Sequence, residues 1–317
     1  MKLATYSTQD NPAPRPGLLI ETDRGASILD LCAYAPAEGM PQSVDAILSG
    51  GAETLGRVKD ALDAARKDSA SVAPFLTDEA TALFHPPLTN PGKVMCIGAN
   101  YPAHVEEIAE QKDQAEDVAA IGKQLSSGEY PPAFLKVKSS LAGHRMDVKR
   151  PEGATTFDYE AELALVIGKT RADAGDDILD MLVAAAPAND LSVREVQFRE
   201  MKRGLLLSGK NFPGACPIGP YVTTLDDIAD VQNLRIECSV NGDLRQSDNT
   251  SRMLFNIRQI LEYYADLPLL PGDIVLTGSP AGVAVGMDVP ADYYLNDGDT
   301  VVVSIEGLGN LESRIVS

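Results

Sequence analysis

The sequence predicts an α+β protein rich in β-strand, with a small α/β unit ahead of a larger, strand-dominated unit. Three observations predict this class: short strand-like runs dominate from residue 132 onward, helical patterns are few, and there is neither βαβ regularity nor a glycine-rich dinucleotide loop. The chain has 317 residues, of which 44% are hydrophobic, which is enough for a sizeable core. We therefore expect one large domain, or one large domain and one small one.

The small α/β unit is predicted over residues 1–72. KLATYS, GLLIETD and SILDLCAYA have strand composition and are separated by Pro, Gly and Asp turns. QSVDAILSGG and AETLGRVKDALDAARKD predict two helices, because apolar residues of the second recur at helical spacing. The proline-rich stretch 73–90 is the predicted linker to a catalytic unit at 91–317.

The elements of the larger unit follow from the same rules. KVMCIGANY (93–101) predicts a buried strand, and 104–124 predicts a charged surface helix. Further helices are predicted at 177–186 and 252–265. The remaining predicted strands are AFLKVK, AELALVIG, LRIECSVNGDLRQ, DIVLTG and TVVVSIEGLG. The Asn-Gly pair at 241–242 predicts a hairpin turn inside the third of them.

Composition narrows the classes of function. The formal net charge of −19 predicts repulsion from nucleic acid and from anionic membranes, so neither is an expected partner. Four cysteines lie far apart without a CxxC pair, which argues against a zinc ribbon and a disulfide scaffold. The polar, proline-broken start resembles no signal peptide, and no apolar run reaches about 18 residues. We therefore expect a cytoplasmic protein.

The stretch FDYEAELALVIGK, residues 157–169, places acids at every second position of an apolar strand. Glu160 and Glu162 share one face of such a strand and lie about 7 Å apart along it. Desolvating both would cost several kcal/mol each, unless a cation compensates. Oxygen ligands favour Mg²⁺, Mn²⁺ or Ca²⁺ over Zn²⁺. The alternative is an exposed edge strand whose polar face carries the acids.

A third acid, Asp190, follows an apolar run in MLVAAAPANDLSVREVQ. One interpretation is a helix N-cap. In the other, Arg194 and Gln197 lie at i+4 and i+7, so that a helix would align all three side chains. That alignment would suit the binding of an acidic substrate beside a metal.

Several long motifs then occur together and in a fixed order: DYEAELALVIGK, NDLSVREVQ, LSGKN, LLPGDIVLTGSPAGV and GDTVVVSIEGLG. This combination resembles the fumarylacetoacetate hydrolase superfamily over roughly residues 80–317. The resemblance implies a mixed β-sandwich roll, a homodimer and a small N-terminal domain. It also implies Mg²⁺ or Mn²⁺ bound by Glu160, Glu162 and Asp190, with Asp158 outside the ligand set.

The resemblance assigns further roles. In NYPAHVEE, His104 and Glu107 match the family's water-activating pair, and a carboxylate that holds one imidazole nitrogen fixes the tautomer of the ring. The alternative is that His104 has no catalytic role and is an exposed histidine on a charged helix. Lys210 would be catalytic, stabilising an enolate or oxyanion. The predicted substrate-binding residues are Arg194, Gln197, Lys136, Thr277 and Gly278. The insertion 108–130 is a candidate lid.

The implied reaction is metal-dependent hydrolysis of a C–C bond in a small anionic 2-oxo acid of the acylpyruvate type. His104 would deprotonate water, and Lys210 and the metal would stabilise the departing enolate. Oxaloacetate-type decarboxylation, and isomerisation or decarboxylation in the breakdown of aromatic or sugar acids, share this enolate and remain open. A catalytically silent oxo-acid-binding relative is another alternative.

Overall fold

A mixed sheet of eleven strands forms the centre of the protein in the computed structural model, which describes residues 1–23, 25–34, 40–109 and 130–317. In chain order, the strands of the described residues are β1 Lys2–Ser7, β2 Arg15–Thr22, β3 Gly25–Asp30, β4 Leu76–Asp78, β5 Leu83–Phe84, β6 Val94–Ile97, β7 Ala133–Lys136, β8 Leu141–Ala142, β9 Asp147–Lys149, β10 Phe157–Asp158, β11 Ala161–Ile167, β12 Leu182–Asn189, β13 Ser192–Val193, β14 Cys216–Pro217, β15 Val222–Thr224, β16 Arg235–Val240, β17 Asp243–Asn249, β18 Ile274–Leu276, β19 Thr300–Ile305 and β20 Gly309–Val316. The central sheet has the order β4-β3-β2-β1-β15-β12-β11-β18-β6-β7, and β5 also pairs with β1. The predicted strand-rich α+β class is confirmed.

The helices of the described residues are short, apart from one of seventeen residues. They are α1 Leu31–Tyr34, α2 Val44–Ser49, α3 Gly51–Lys67, α4 Ser69–Val72, α5 Pro102–Ala109, α6 Arg194–Met201 and α7 Ile257–Tyr263. Helix α7 begins with a capping box formed by Asn256 and Gln259, which confirms a helix within the predicted segment 252–265. Helix α5 confirms the start of the predicted helix 104–124, whereas residues 110–124 and most of the candidate lid lie outside the described residues.

Strand β11 separates two hydrophobic clusters. All seven of its residues are buried between β12 and β18, with antiparallel pairing on both sides. Leu163 and Leu165 belong to the cluster shared with a second sheet, β17-β16-β19-β20-β9, whereas Ala164 and Val166 face the cluster shared with α2 and α3. The interpretation of this segment as an exposed edge strand is therefore wrong.

The N-terminal strands continue the central sheet. Strand β1 pairs with β15 through Lys2 with Thr223 and Leu3 with Val222. The stretch 73–90 contains β4 and β5, which pair with β3 and β1. The division into units at 1–72, 73–90 and 91–317 remains a prediction. Strands from all three of these ranges belong to the central sheet.

The helix predicted at 177–186 is wrong. Residues Ile178–Met181 form one 3₁₀ turn, and β12 follows at Leu182. The alanines of β12 favour a helix by propensity, but β11 and β15 pair with this segment on both sides, and this pairing overrides propensity. The strand predicted for SILDLCAYA also ends early, at Asp30, and α1 begins at the next residue.

The hairpin turn at 241–242 is confirmed. Asn241 and Gly242 both have positive φ, at 54° and 87°, as this two-residue turn requires. The turn joins β16 to β17, whose Gln246 projects into the interior. All four cysteines are free, in agreement with the argument against a disulfide scaffold.

Candidate active site

The ends of two paired strands bring three carboxylates together. Glu160 directly precedes β11, Glu162 lies within it, and Asp190 directly follows β12. Because Ala161 pairs with Asn189, the two strand ends meet, and the Asp190 amide donates to the Glu160 carbonyl at 2.9 Å. One ligand atom from each carboxylate lies within 4.8 Å of the others, and all three residues are buried. This is the cluster that the sequence predicted.

Two lysines neutralise part of this cluster. The Lys210 Nζ atom donates to Glu160 Oε2 and Asp190 Oδ2, at 2.6 Å each. The Lys136 Nζ atom donates to Asp190 Oδ1. Burial lowers the pKa of Lys136, but the charge and hydrogen bond of Asp190, together with the nearby Cys216 and Cys96, outweigh burial and raise the pKa to about 12. Lys136 is therefore held as a cation in the interior.

Arg194, at the start of α6, connects the cluster to Asp158. Its Nε atom donates to Asp158 Oδ2 at 2.8 Å, and its Nη1 atom donates to Glu160 Oε1 at 2.6 Å and to Gln197 Oε1 at 2.9 Å. Among the described residues, its Nη2 atom has no hydrogen-bond partner although it is buried. That nitrogen is a free donor beside the cluster. Burial would raise the pKa of Glu160, but Lys210 and Arg194 together hold it well below its usual range.

Two sequence interpretations of this segment need correction. Val193, and not Asp190, is the N-cap residue of α6, so the N-cap interpretation of Asp190 is wrong. The helical alignment of Asp190 with Arg194 and Gln197 is also wrong, because β13 separates Asp190 from the helix. The three residues nevertheless line one cavity, since the chain folds back at β13.

Glu162 is the least compensated carboxylate of the cluster. Its Oε2 atom accepts from the Gly278 amide at 2.8 Å. Burial, and then the like charges of Asp190 and Glu160, raise its pKa well above its usual range. The ion pairs of this region join three lysine and arginine side chains to three carboxylates, and none of these pairs includes Glu162.

These observations test whether a divalent cation fits. Three buried carboxylates provide a donor set made of oxygen alone, which is the set that Mg²⁺ and Mn²⁺ prefer. A cation between them would remove the repulsion that now raises the pKa of Glu162. The residues present therefore fit a divalent metal.

Asp158 differs from the three clustered carboxylates, because hydrogen bonds from the protein itself compensate its charge. Its carboxylate accepts from Arg194, from the Tyr159 amide and from the Ala284 and Val285 amides, at 2.8 to 3.0 Å. This agrees with its predicted place outside the ligand set.

The predicted histidine–glutamate pair is formed on α5. His104 Nδ1 lies 2.8 Å from Glu107 Oε1, and the other Glu107 oxygen accepts from the Gly282 amide at 2.8 Å. In the neutral imidazole, the Nδ1 atom beside the carboxylate carries the hydrogen, which leaves Nε2 as the acceptor. His104 is buried and lines the cavity, so the alternative of an exposed histidine is wrong.

The cavity has a volume of about 90 Å³ and a lining that is partly polar and partly apolar. Its polar lining residues are the carboxylate cluster together with His104, Arg194, Gln197, Lys210 and Ser279. Its apolar lining residues include Ile97, Val105, Ile108, Phe134, Phe198, Met201 and Leu206.

The 277–282 turn lies differently from the sequence prediction. The Thr277 hydroxyl donates to the Leu163 carbonyl at 3.1 Å, so it is engaged inside the sheet. The Gly278 amide donates to Glu162, and Lys136 contacts Asp190 behind the cavity. Ser279 lines the cavity instead, and it is not among the residues to which the sequence assigns a role.

Comparisons with known proteins agree with this fold. The family model for the C-terminal domain of fumarylacetoacetate (FAA) hydrolase matches residues 93–316. The chain is 34% identical over its full length, and over 90% of the relative, to a protein named mitochondrial oxaloacetate tautomerase from Xenopus laevis. It is 30% identical to one named oxaloacetate tautomerase from Bacillus subtilis, with 88% of each chain covered.

Two solved structures extend the comparison. A fumarylacetoacetate hydrolase from Exiguobacterium antarcticum matches with a TM-score of 0.76 and 30% identity over the whole of both chains. A maleylpyruvate hydrolase from Sphingobium sp. SYK-6, in complex with manganese(II) and pyruvate, matches with a TM-score of 0.69 and 26% identity, over 100% of this chain and 99% of that one. The chain belongs to the fumarylacetoacetate hydrolase family, and the roles of its site residues remain predictions within that family. None of the helices that the structure describes has the length and apolar character needed to cross a membrane.

Proposed function

We propose that the protein is a divalent-metal-dependent enzyme that moves a proton at the carbon beside the 2-oxo group of a small 2-oxo acid, with keto–enol tautomerisation of oxaloacetate as its reaction. The observation that carries this proposal is that His104, held by Glu107, lines the same cavity as three buried carboxylates. The full-length similarity to proteins named oxaloacetate tautomerase supports this reaction over the others that the fold accommodates.

Glu160, Glu162 and Asp190 would hold Mg²⁺ or Mn²⁺. When bound there, the ion would supply Lewis-acid polarisation of the 2-oxo group. The residues of the chain would do the rest: they bind the acid, exclude water and move the proton.

His104 would be the base. With Nδ1 held by Glu107, its Nε2 atom would accept a proton from C3 of the keto form. The C–H electron pair would form the C2–C3 double bond, and the carbonyl pair would move to the 2-oxo oxygen. The proton would then be delivered to that oxygen, which gives the enol. Glu107 would stabilise the imidazolium between these two steps.

Arg194, Gln197 and Lys210 would bind and stabilise the negative charge. Arg194 lines the cavity, and a substrate carboxylate that came within reach of its unpartnered Nη2 atom would satisfy this buried donor. Lys210 bridges Glu160 and Asp190, and its buried charge would favour an enolate oxygen nearby. Lys136, Thr277 and Gly278 would position these groups from outside the cavity, through their hydrogen bonds.

C–C bond hydrolysis, the reaction first expected from the sequence, is the second candidate. The structural match to a maleylpyruvate hydrolase favours it. In that reaction, the same His104 nitrogen would deprotonate a water instead of C3, and a C–C bond would break. Decarboxylation would need the charge-stabilising groups but no attacking water.

The test is a turnover assay of purified protein with Mn²⁺ or Mg²⁺. Enol absorbance would be followed for oxaloacetate and for acetylpyruvate, and pyruvate would be measured in parallel. We expect faster decay of enol-oxaloacetate without matching release of pyruvate, and loss of this activity in His104→Ala. Pyruvate released as fast as the enol decays would instead indicate hydrolysis or decarboxylation. Binding without any turnover would indicate the silent relative.

A homodimer also remains a proposal, together with the cytoplasmic location. Strand β7 is an edge strand of the central sheet, and Leu135 within it and Val137 just after it are exposed. Asn211 forms backbone hydrogen bonds with both residues and with Leu207. Exposed apolar side chains on an edge strand favour contact with a second chain. Sedimentation of wild type against Leu135→Glu would test this, with a monomeric variant as the expected result.

A further inference from the structure

Gln246, on β17, connects the two backbone segments that frame the site. It is fully buried and belongs to none of the motifs singled out from the sequence. Its Oε1 atom accepts from the Ala161 amide at 2.9 Å. Its Nε2 atom donates to Ser279 Oγ at 2.9 Å and to the Pro280 carbonyl at 2.7 Å.

Its partners fix the orientation of the Gln246 amide. A backbone N–H, as at Ala161, only donates, and a carbonyl, as at Pro280, only accepts. The reversed amide would place two donors together on one side and two acceptors together on the other. Oxygen therefore faces Ala161, and nitrogen faces the 279–280 turn.

This orientation determines what the Ser279 hydroxyl does. The amide nitrogen of Gln246 has no lone pair to offer, so Ser279 Oγ is the acceptor in their hydrogen bond. The hydroxyl hydrogen must therefore point elsewhere. Within the part of the chain that the structure describes, the acceptor within its reach is the Pro280 carbonyl, at the long distance of 3.4 Å, and Ser279 itself lines the cavity. The hydrogen is thus available to an oxygen of a bound molecule.

The other end of Gln246 holds the carboxylates in place. Ala161 lies between Glu160 and Glu162, so an anchored Ala161 amide limits how far the strand can shift beneath both acids. On the far side, Asn189 Oδ1 accepts from the Glu160 amide at 3.0 Å.

The contact between β17 and the turn is close. A Cβ atom on Gly282 would lie 2.1 Å from the Arg245 carbonyl oxygen, so the backbone of β17 lies directly against the 278–282 turn. Gly282 also has a φ of 101°, which favours glycine. Gln246 therefore reaches the turn without any intervening side chain.

We propose that Gln246 is a positioning residue that sets the spacing between the Glu160–Glu162 segment and the 278–282 turn, and directs the Ser279 hydroxyl hydrogen into the cavity to donate to an oxygen of the bound 2-oxo acid. The inference rests on the proposed function for the identity of that ligand. Oxalate is a suitable probe because it is a small planar dianion that resembles the enolate of a 2-oxo acid.

The experiment is a double-mutant cycle of Gln246→Met and Ser279→Ala, read by calorimetric titration of oxalate into Mn²⁺-loaded protein. Methionine matches glutamine in shape and has no amide. Because a hydrogen bond to a charged group is at stake, each single change should raise the oxalate Kd about tenfold. The double variant should be little weaker than either single variant, since both changes remove the same directed hydrogen.

The matched control is Gln232→Met. Gln232 also bridges backbone groups, accepting from the Ile257 amide and donating to the Thr250 carbonyl, but it does not line the cavity. We expect its oxalate Kd to stay within about twofold of wild type. Should Gln246→Met fail to fold, Gln246→Glu keeps the acceptor for Ala161 and removes the donor, and the same coupling with Ser279→Ala is expected.

Two results would overturn the inference: wild-type oxalate affinity in the Gln246 variant, or losses that multiply in the double variant. Failure of the proposed function looks different. In that case wild-type protein would not tautomerise oxaloacetate, whereas the oxalate titrations could still show the coupling.

Discussion

Asp158 and Glu162 are buried carboxylates four residues apart, and the protein surrounds them in opposite ways. Asp158 is paired with Arg194 and accepts from three backbone amides. Glu162 accepts from one backbone amide, and burial, followed by the like charges of Asp190 and Glu160, raises its pKa. A buried charge with this many partners is part of the scaffold, whereas a buried acid facing other acids is destabilised until a cation arrives.

The largest expected effect is on activity and separates the two acids. Glu162→Gln should reduce turnover on the order of 10³-fold, because Lewis-acid polarisation is worth several kcal/mol of transition-state stabilisation. The same variant should unfold in EDTA at or above the wild-type temperature, since one of three clustered carboxylates has been removed. Turnover and thermal unfolding, measured on the same preparation, check this. A variant that unfolds early in EDTA would contradict it.

Asp158→Ala should show the reverse pattern. Removing the partner of a buried Arg194 typically costs about 3–5 kcal/mol of folding free energy, with or without metal. Chemical denaturation in EDTA measures this loss. Asp243→Ala is the control, because that acid is exposed beside Arg245, and its removal should change stability by about 0.5 kcal/mol or less.

Metal should stabilise wild-type protein through Glu162. At a free Mn²⁺ concentration of 100 times Kd, linkage predicts a gain of about 2.7 kcal/mol in the free energy of unfolding. The gain should be absent from Glu162→Gln and should remain in Asp243→Ala. Denaturation with and without Mn²⁺ measures it, and an equal gain in all three proteins would place the ion elsewhere.

His144 gives a smaller, pH-dependent effect away from both acids. Burial, and then the charge of Arg145, lower its pKa to about 4 from the ordinary 6.5. The folded state therefore prefers the neutral ring, so its contribution is complete above pH 6.5 and is lost as the pH falls towards 4. At about 1.4 kcal/mol per pKa unit, we expect a loss of roughly 2–3 kcal/mol.

The measurement for His144 compares wild type with His144→Asn at pH 7 and pH 4. Asparagine offers an oxygen where His144 Nδ1 accepts from the Glu312 amide at 3.0 Å. The stability difference between the two proteins should narrow at pH 4, and a constant difference would contradict the assignment.

The alternation of residue types predicts the strand that carries the acids, because successive side chains of a strand point to opposite faces whichever elements pack against β11. Local pattern failed at β12, where alanine-rich sequence is compatible with a helix and only pairing with β11 and β15 decides. The sequence motif also predicts Thr277 at the substrate, because it does not give the direction of the backbone after β18. In the structure the Thr277 hydroxyl donates to the Leu163 carbonyl, and Ser279 lines the cavity.

Contacts between distant parts of the chain were beyond sequence reasoning. Gln246 lies 85 residues from Ala161 and 33 from Ser279, and nothing in β17 itself marks these partners. The buried partners of Asp158 come from 284 and 285, more than 120 residues away. Such contacts determine which acid is structural, and they are visible only once the sheets are assembled.

The most direct test of the account is titration of metal-free wild type and Glu162→Gln with Mn²⁺, followed by the loss of the free-ion electron paramagnetic resonance signal. The account predicts one site per wild-type chain and at least about a hundredfold weaker binding in the variant, as loss of a ligand implies. Equal binding by both proteins would contradict the claim that Glu162 is held for the metal.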